Sequence, residues 1–122
     1  MNEDLIARAD AAAANAYAPY SNYRVGATVL LKDGRSFDGV NVENAAYPLG
    51  VCAERVAISK AASEGVRPGD IDAIGITASP CGGCRQWLHE WRIERVYFRR
   101  EDGSIAEYAP ASKLLPDAWD LP

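Results

Sequence analysis

Apolar residues fall in two rhythms along the chain. Between residues 3 and 17, Leu5, Ile6, Ala9, Ala13, Ala16 and Tyr17 share one face at three- and four-residue spacing. That pattern predicts an amphipathic helix, capped by Asn2 and ended by Pro19, with "APYSNY" as the loop that follows. "RVGATVLL" is apolar almost throughout, as a strand covered on both faces must be, and Asp33-Gly34 turns the chain into a second strand over 36–42. After the loop "ENAAYPLGV", the run "CAERVAISKAASEG" predicts a second helix with Gly65 at its end. "DIDAIGITA" reads as a third strand, and "CGGCRQWLHEW" as a third helix opening after Pro80. "RVYFRR" and "SIAEY" form a last hairpin around Asp102-Gly103.

The element order is therefore α-β-β-α-β-α-β-β. Strands joined through helices run parallel and hairpin strands antiparallel. The expected fold class is α/β, a five-stranded mixed sheet with helices on both faces. The 122 residues are 48% hydrophobic and carry no linker, repeat or low-complexity run, so residues 1–122 read as one domain.

Charge narrows the function. The formal net charge is −4, and Lys and Arg are scattered apart from Arg92, Arg95, Arg99 and Arg100, which read as a solvated edge. A polynucleotide partner is not expected, since phosphate neutralisation needs a basic surface. The expected substrate is a small molecule with little negative charge. "MNEDLIARAD" lacks the basic segment and apolar run of a signal peptide, and no stretch nears the roughly 18 apolar residues of a membrane span. A cytoplasmic setting is the expectation, and three cysteines, an odd number, suit a reducing compartment.

Those cysteines carry the chemistry. Cys52 opens one predicted helix, and Cys81 and Cys84 lie in the first turn of another. Brought together, three thiolates suit zinc with the fourth position left to water, the arrangement of catalytic sites. The single histidine, His89, falls five residues past Cys84 near the opposite helix face and reads as a partly exposed surface residue. Glu54, two residues after Cys52, is placed to serve as general acid and base without binding the metal. Zinc with three thiolates has a net charge of −1; Arg55 and two helix N-termini are positioned to offset it. Taken alone, Cys81-Gly-Gly-Cys84 also suits a dithiol redox pair or a structural zinc site. No phosphate-binding glycine loop or serine-histidine triad is present.

With these residues in place, the sequence resembles the cytidine deaminase family, in its short, three-cysteine form. "APYSNYRVGA", "GVNVENAAYPLGVCAERVAI", "SPCGGCRQ" and "LLPDAW" carry the likeness almost end to end. Zinc deaminases combine such a metal site with a non-ligand Glu and a P-C-x-x-C segment. The resemblance implies a three-layer α/β/α fold, zinc on Cys52, Cys81 and Cys84, and Glu54 as proton shuttle. It implies that Asn41 and Glu43 bind the ribose hydroxyls, that the Ala53 N–H meets the pyrimidine carbonyl, and that the Ser79 carbonyl meets the departing amino group. Tyr23 replaces the family's usual Phe beside the nucleoside, and Tyr47 reaches a neighbouring site. Trp119 stands where a Phe commonly closes a neighbouring subunit's pocket. A homotetramer with shared sites is implied. The implied reaction is hydrolysis of cytidine and deoxycytidine to uridine and deoxyuridine plus ammonia, in pyrimidine salvage. The aromatic departures favour a variant of the same chemistry on N4-substituted cytidines or a nucleoside antibiotic such as blasticidin S. The non-enzymatic alternative is a structural-zinc or dithiol redox protein.

Overall fold

The computed structural model describes residues 2–120, the side chain of Asn2 excepted, so the expected Asn2 cap lies outside the described residues. The elements are α1 (Asn2–Ala13), β1 (Gly26–Leu31), β2 (Ser36–Val40), α2 (Ala53–Ser63), β3 (Ile71–Ile76), α3 (Gly82–Glu90), β4 (Arg95–Arg99) and β5 (Ile105–Tyr108). Short 3-10 turns cover Tyr47–Leu49 and Ala111–Leu114. Glycines with positive φ close both hairpins, Gly34 at 96° and Gly103 at 89°.

The sheet order is β2-β1-β3-β4-β5. β1 pairs antiparallel with both β2 and β3, β3 pairs parallel with β4, and β4 pairs antiparallel with β5. The helix-linked strands β2 and β3 do run in the same direction, but β1 lies between them. Only β3 and β4 are parallel neighbours.

Side-chain alternation along the strands divides the core into two layers. Ala27, Val29, Ile74, Ile76, Val96 and Phe98 pack with Ala57, Ile58 and Leu88 of α2 and α3. Ala73 and Tyr97 face the other way, onto Leu5 and Ile6 of α1. Nearly uninterrupted apolar strands therefore sit between one helix on one face and two on the other.

The first helix ends four residues earlier than the apolar spacing predicts. Ala14, Asn15 and Ala16 donate to carbonyls three residues back, which tightens the chain out of the α-helix. Tyr17 then pairs with the far end of the second strand: its N–H donates to Asn41 O (3.0 Å), and its carbonyl accepts from Glu43 N (2.9 Å). Tyr17 is accordingly exposed, not part of the buried face. Tertiary pairing overrides helix propensity here.

Two of the four arginines of the expected solvated edge are ion-paired. Arg95 contacts Asp72 and Arg99 contacts Asp10. The Arg99 hydrogen bond holds the Asp10 carboxyl below its ordinary value of 3.8. A folded pKa below the unfolded one means that stability is present above about that value and is lost as pH falls through the folded one. Both side chains are more than a third exposed or close to it, so screening limits the gain. Asp10→Asn is expected to lower stability by no more than ~1 kcal/mol at neutral pH. Urea titrations should show that loss shrinking toward zero in acid.

Candidate active site

Two helix starts build the centre. Cys52 is the N-cap of α2 and Cys81 the N-cap of α3, both with extended backbone. The Cys81 sulfur accepts from the Cys84 N–H at 3.4 Å, one turn inside α3. The three cysteines are free thiols: Cys84 is buried, Cys52 half-buried and Cys81 exposed. Their sulfurs lie within 4.8 Å of one another. A tetrahedral ion with bonds of ~2.3 Å spaces its sulfurs ~3.8 Å apart, so the trio fits zinc.

The thiols differ in acidity. A hydrogen bond from Cys84, helped by Arg55, brings the Cys52 thiol down to about 6, while its bond to Cys52, together with burial, pushes Cys84 up. The hydrogen bonds among the thiols and the Arg55 charge favour the thiolate form at Cys52, the form that binds a metal cation.

Glu54 follows on the first turn of α2 and is 4% exposed. Burial raises its carboxyl above the ordinary value; its own backbone N–H opposes the rise, and the Cys52 sulfur adds to it. For Arg55, burial alone would disfavour the charge, but the sulfurs of Cys84, Cys52 and Cys81 outweigh it. The guanidinium passes over Gly83, where any Cβ would collide with Arg55 Nη2. Arg55 Nε is buried without a partner, while the guanidinium hydrogen-bonds with Cys84 and so directs its charge to the sulfurs.

α2 reaches this position because Gly39 of β2 has no side chain. A Cβ there would overlap the Ala57 nitrogen and the Ala53 carbonyl oxygen, and would lie 2.9 Å from Ala57 Cα. The helix backbone rests directly on the strand.

A groove of about 670 Å³ opens beside the sulfurs, a size typical of small-molecule sites. Asn41, Glu43, Tyr47, Cys52 and Arg55 line it, along with Tyr20 and Ser21. Tyr23, Ala53, Glu54, Ser79, Cys81, Cys84 and Trp119 do not line it, so Cys52 is the one sulfur in its wall. Trp119 is 68% exposed and Tyr47 91%. Ala53, the first residue of α2 after the Cys52 cap, is fully buried.

Asn41 and Glu43 also hold the 20–25 loop. Asn41 Oδ1 accepts from Val25 N (2.8 Å), and its Nδ2 donates to Tyr23 O (2.9 Å). Glu43 Oε1 accepts from the Tyr20 and Ser21 N–H groups, and Oε2 accepts from the Ser21 hydroxyl. The Ser21 hydroxyl leads in holding the Glu43 carboxyl below its ordinary value. Ser21 Oγ in turn accepts from Tyr23 N at 3.0 Å.

Ser21 and Arg85 are participants that sequence reasoning missed. Arg85 Nε donates to Pro80 O (2.9 Å), Nη2 to Ser79 Oγ (3.3 Å) and Nη1 to Leu114 O (3.3 Å). It braces the segment that delivers Cys81. An Arg four residues after a helix-capping ligand was the available signal. For Ser21 the only signal was a small hydroxyl residue in a tyrosine-rich loop.

Ser21→Ala removes a donor to Glu43 and an acceptor for Tyr23. It is expected to raise KM for nucleoside about 2- to 10-fold with kcat nearly unchanged, as loss of uniform binding does. Steady-state kinetics check this; a fall in kcat at constant KM contradicts it.

The family described as "Cytidine and deoxycytidylate deaminase zinc-binding region" matches residues 1–100. The chain is 45% identical to the cytidine deaminase of Halalkalibacterium halodurans, over 94% of this chain and 91% of that one. It is 43% identical to the cytidine deaminase of Sporosarcina psychrophila, with 96% and 90% covered. A crystal structure of cytidine deaminase from Burkholderia pseudomallei superposes with a TM-score of 0.90 at 41% identity, covering 98% of this chain and 99% of that one. The three-thiol centre beside a buried carboxyl, the five-stranded mixed sheet and these likenesses agree. The chain belongs to the cytidine and deoxycytidylate deaminase family.

Proposed function

We propose that the protein hydrolyses free cytidine and deoxycytidine to uridine and deoxyuridine, releasing ammonia, in pyrimidine salvage. The observation that carries this reading is the sulfur trio beside a buried Glu54, at the edge of a groove of nucleoside size. Arg55 is the only cation among the groove's lining residues, and it is turned to the sulfurs. The groove therefore offers no cradle for a phosphate, which favours a nucleoside over a nucleotide.

Cys52, Cys81 and Cys84 hold zinc, which when bound supplies the Lewis acidity that makes water a nucleophile at neutral pH. Glu54 moves the protons: its carboxylate takes one from the attacking water and passes it to ring N3, then takes the second from the new C4 hydroxyl and passes it to the amino group, so that the C4–N bond breaks, ammonia leaves and the C4 carbonyl forms. The Ala53 N–H donates to the pyrimidine carbonyl, and the Ser79 carbonyl accepts from the amino group. Asn41 and Glu43 bind sugar hydroxyls with the hydrogen-bonding capacity left after anchoring the loop. Tyr23 stacks beside the nucleoside. Arg55 offsets the surplus thiolate charge.

The working assembly is a homotetramer in the cytoplasm. Tyr20, Tyr47, Leu49 and Trp119 expose large apolar surfaces, Tyr20 and Tyr47 in the wall of the groove, and such surfaces mark interfaces. No helix among the described residues is long and apolar enough to cross a membrane. Tyr47 and Trp119 act in a neighbour's site. Mixing Glu54→Gln with Trp119→Ala subunits is then expected to restore part of the cytidine turnover that each lacks alone, followed by ultraviolet absorbance. Light scattering should give the mass of four chains. Mixtures no better than the sum of their parts, or a monomeric mass, would remove shared sites. Strong preference for cytidine over N4-substituted cytidines and blasticidin S would retire the modified-substrate variant.

A further inference from the structure

Trp119 presents its indole to solvent while the backbone around it is pinned to one helix. Gln86 Nε2 donates to the Trp119 carbonyl at 3.3 Å. His89 Nε2 lies 2.8 Å from Asp120 Oδ1. On the same helix, Arg85 holds Leu114, where the terminal segment begins its return. All three side chains belong to α3, the helix that Cys81 and Cys84 open. The C-terminal segment and the metal ligands thus share one rigid support.

The histidine is fitted to this task. Its side chain is only 16% exposed, and Nδ1 is buried with no partner. An ionised Asp120 carboxylate can only accept, so the Nε2 that faces it carries a proton and donates. Asp120 is 63% exposed and has nothing to gain from burial. The bond fixes the direction of the segment, and its contribution to overall stability is small. The Trp119 indole is 68% exposed among the described residues, and a large aromatic held out on a fixed segment is surface of the kind that a second copy of the chain covers.

We infer that Gln86 and His89 are positioning residues for Trp119: they set the pitch at which its indole covers the substrate groove of a second copy of this chain. This rests on the reading of Trp119 given above. The fit of the pyrimidine and its substituents is then governed partly by two side chains that never touch substrate.

Kinetics on the zinc-loaded protein test it. His89→Ala, Gln86→Ala and Asp120→Ala are each expected to raise KM for cytidine about threefold or more, with kcat, zinc content and melting temperature unchanged. His89→Gln, which returns an N–H donor near the Nε2 position, should recover most of the loss. Adding His89→Ala to Trp119→Ala should bring no further change in KM, because one route is already broken. Asp120 is exposed, so its variant folds even if a helix variant does not. If Trp119→Ala raises KM but the three alanine variants match the wild type, or if His89→Ala adds fully to Trp119→Ala, the positioning role is overturned and the reading of Trp119 stands. If Trp119→Ala itself leaves KM unchanged, that reading falls and takes the positioning role with it.

Discussion

Glu54→Gln is expected to slow cytidine turnover by about 10²- to 10⁴-fold, the usual worth of a positioned acid-base group, while zinc stays bound at full occupancy. The change is isosteric and leaves the three sulfurs themselves in place, though the carboxyl it replaces hydrogen-bonds with Cys84. What it removes is a carboxyl that burial holds above its ordinary value, a group able both to take and to return a proton. Gln can do neither. Burying a neutral amide in place of an ionisable group also means that the melting temperature should not fall. Zinc assay, calorimetry and turnover on one preparation separate the possibilities. Loss of activity with loss of zinc would make Glu54 structural; unimpaired turnover would move the proton shuttle elsewhere.

Gly39→Ala is expected to reduce both stability and turnover, although the residue touches no substrate. Its added methyl would meet backbone atoms of Ala53 and Ala57, and backbone cannot swing aside as a side chain can. α2 must lift from β2. Overpacking of this kind costs about 1–3 kcal/mol, which urea denaturation will read as a lower midpoint. The displaced end of α2 carries Cys52, Ala53 and Glu54. A shift of ~1 Å in a catalytic group can cost ~10²-fold in rate. Wild-type stability together with wild-type kinetics would mean that the helix is not seated on this glycine.

The three-thiol cluster was legible in the sequence because its information is local. Cys52 and Cys81 occupy helix starts, where N-caps are read from short-range signals, and Cys84 and Glu54 lie within three residues of them. The strands were legible because residues such as Val29, Ile74 and Val96 are covered on the helix face while their neighbours serve the other. Membership of a deaminase family also sets aside the non-enzymatic redox and structural-zinc readings of Cys81 and Cys84.

What the sequence concealed was long-range. Nothing near Tyr17 announces that it leaves the helical pattern to pair with Asn41 and Glu43. Ser21 meets a carboxylate 22 residues away, and His89 an aspartate 31 residues away. The insertion of β1 between β2 and β3 is equally invisible to periodicity, because a strand's own pattern does not specify its neighbours. Both helices still start at the same place, which is why the centre could be anticipated although the strand order could not.

Zinc K-edge X-ray absorption on the purified protein is the most direct measurement. Three sulfur scatterers at about 2.3 Å and one oxygen or nitrogen scatterer at about 2.0 Å are expected. A fourth protein sulfur, fewer than three sulfurs, or a fully folded active protein without zinc would contradict an open metal vertex beside Glu54.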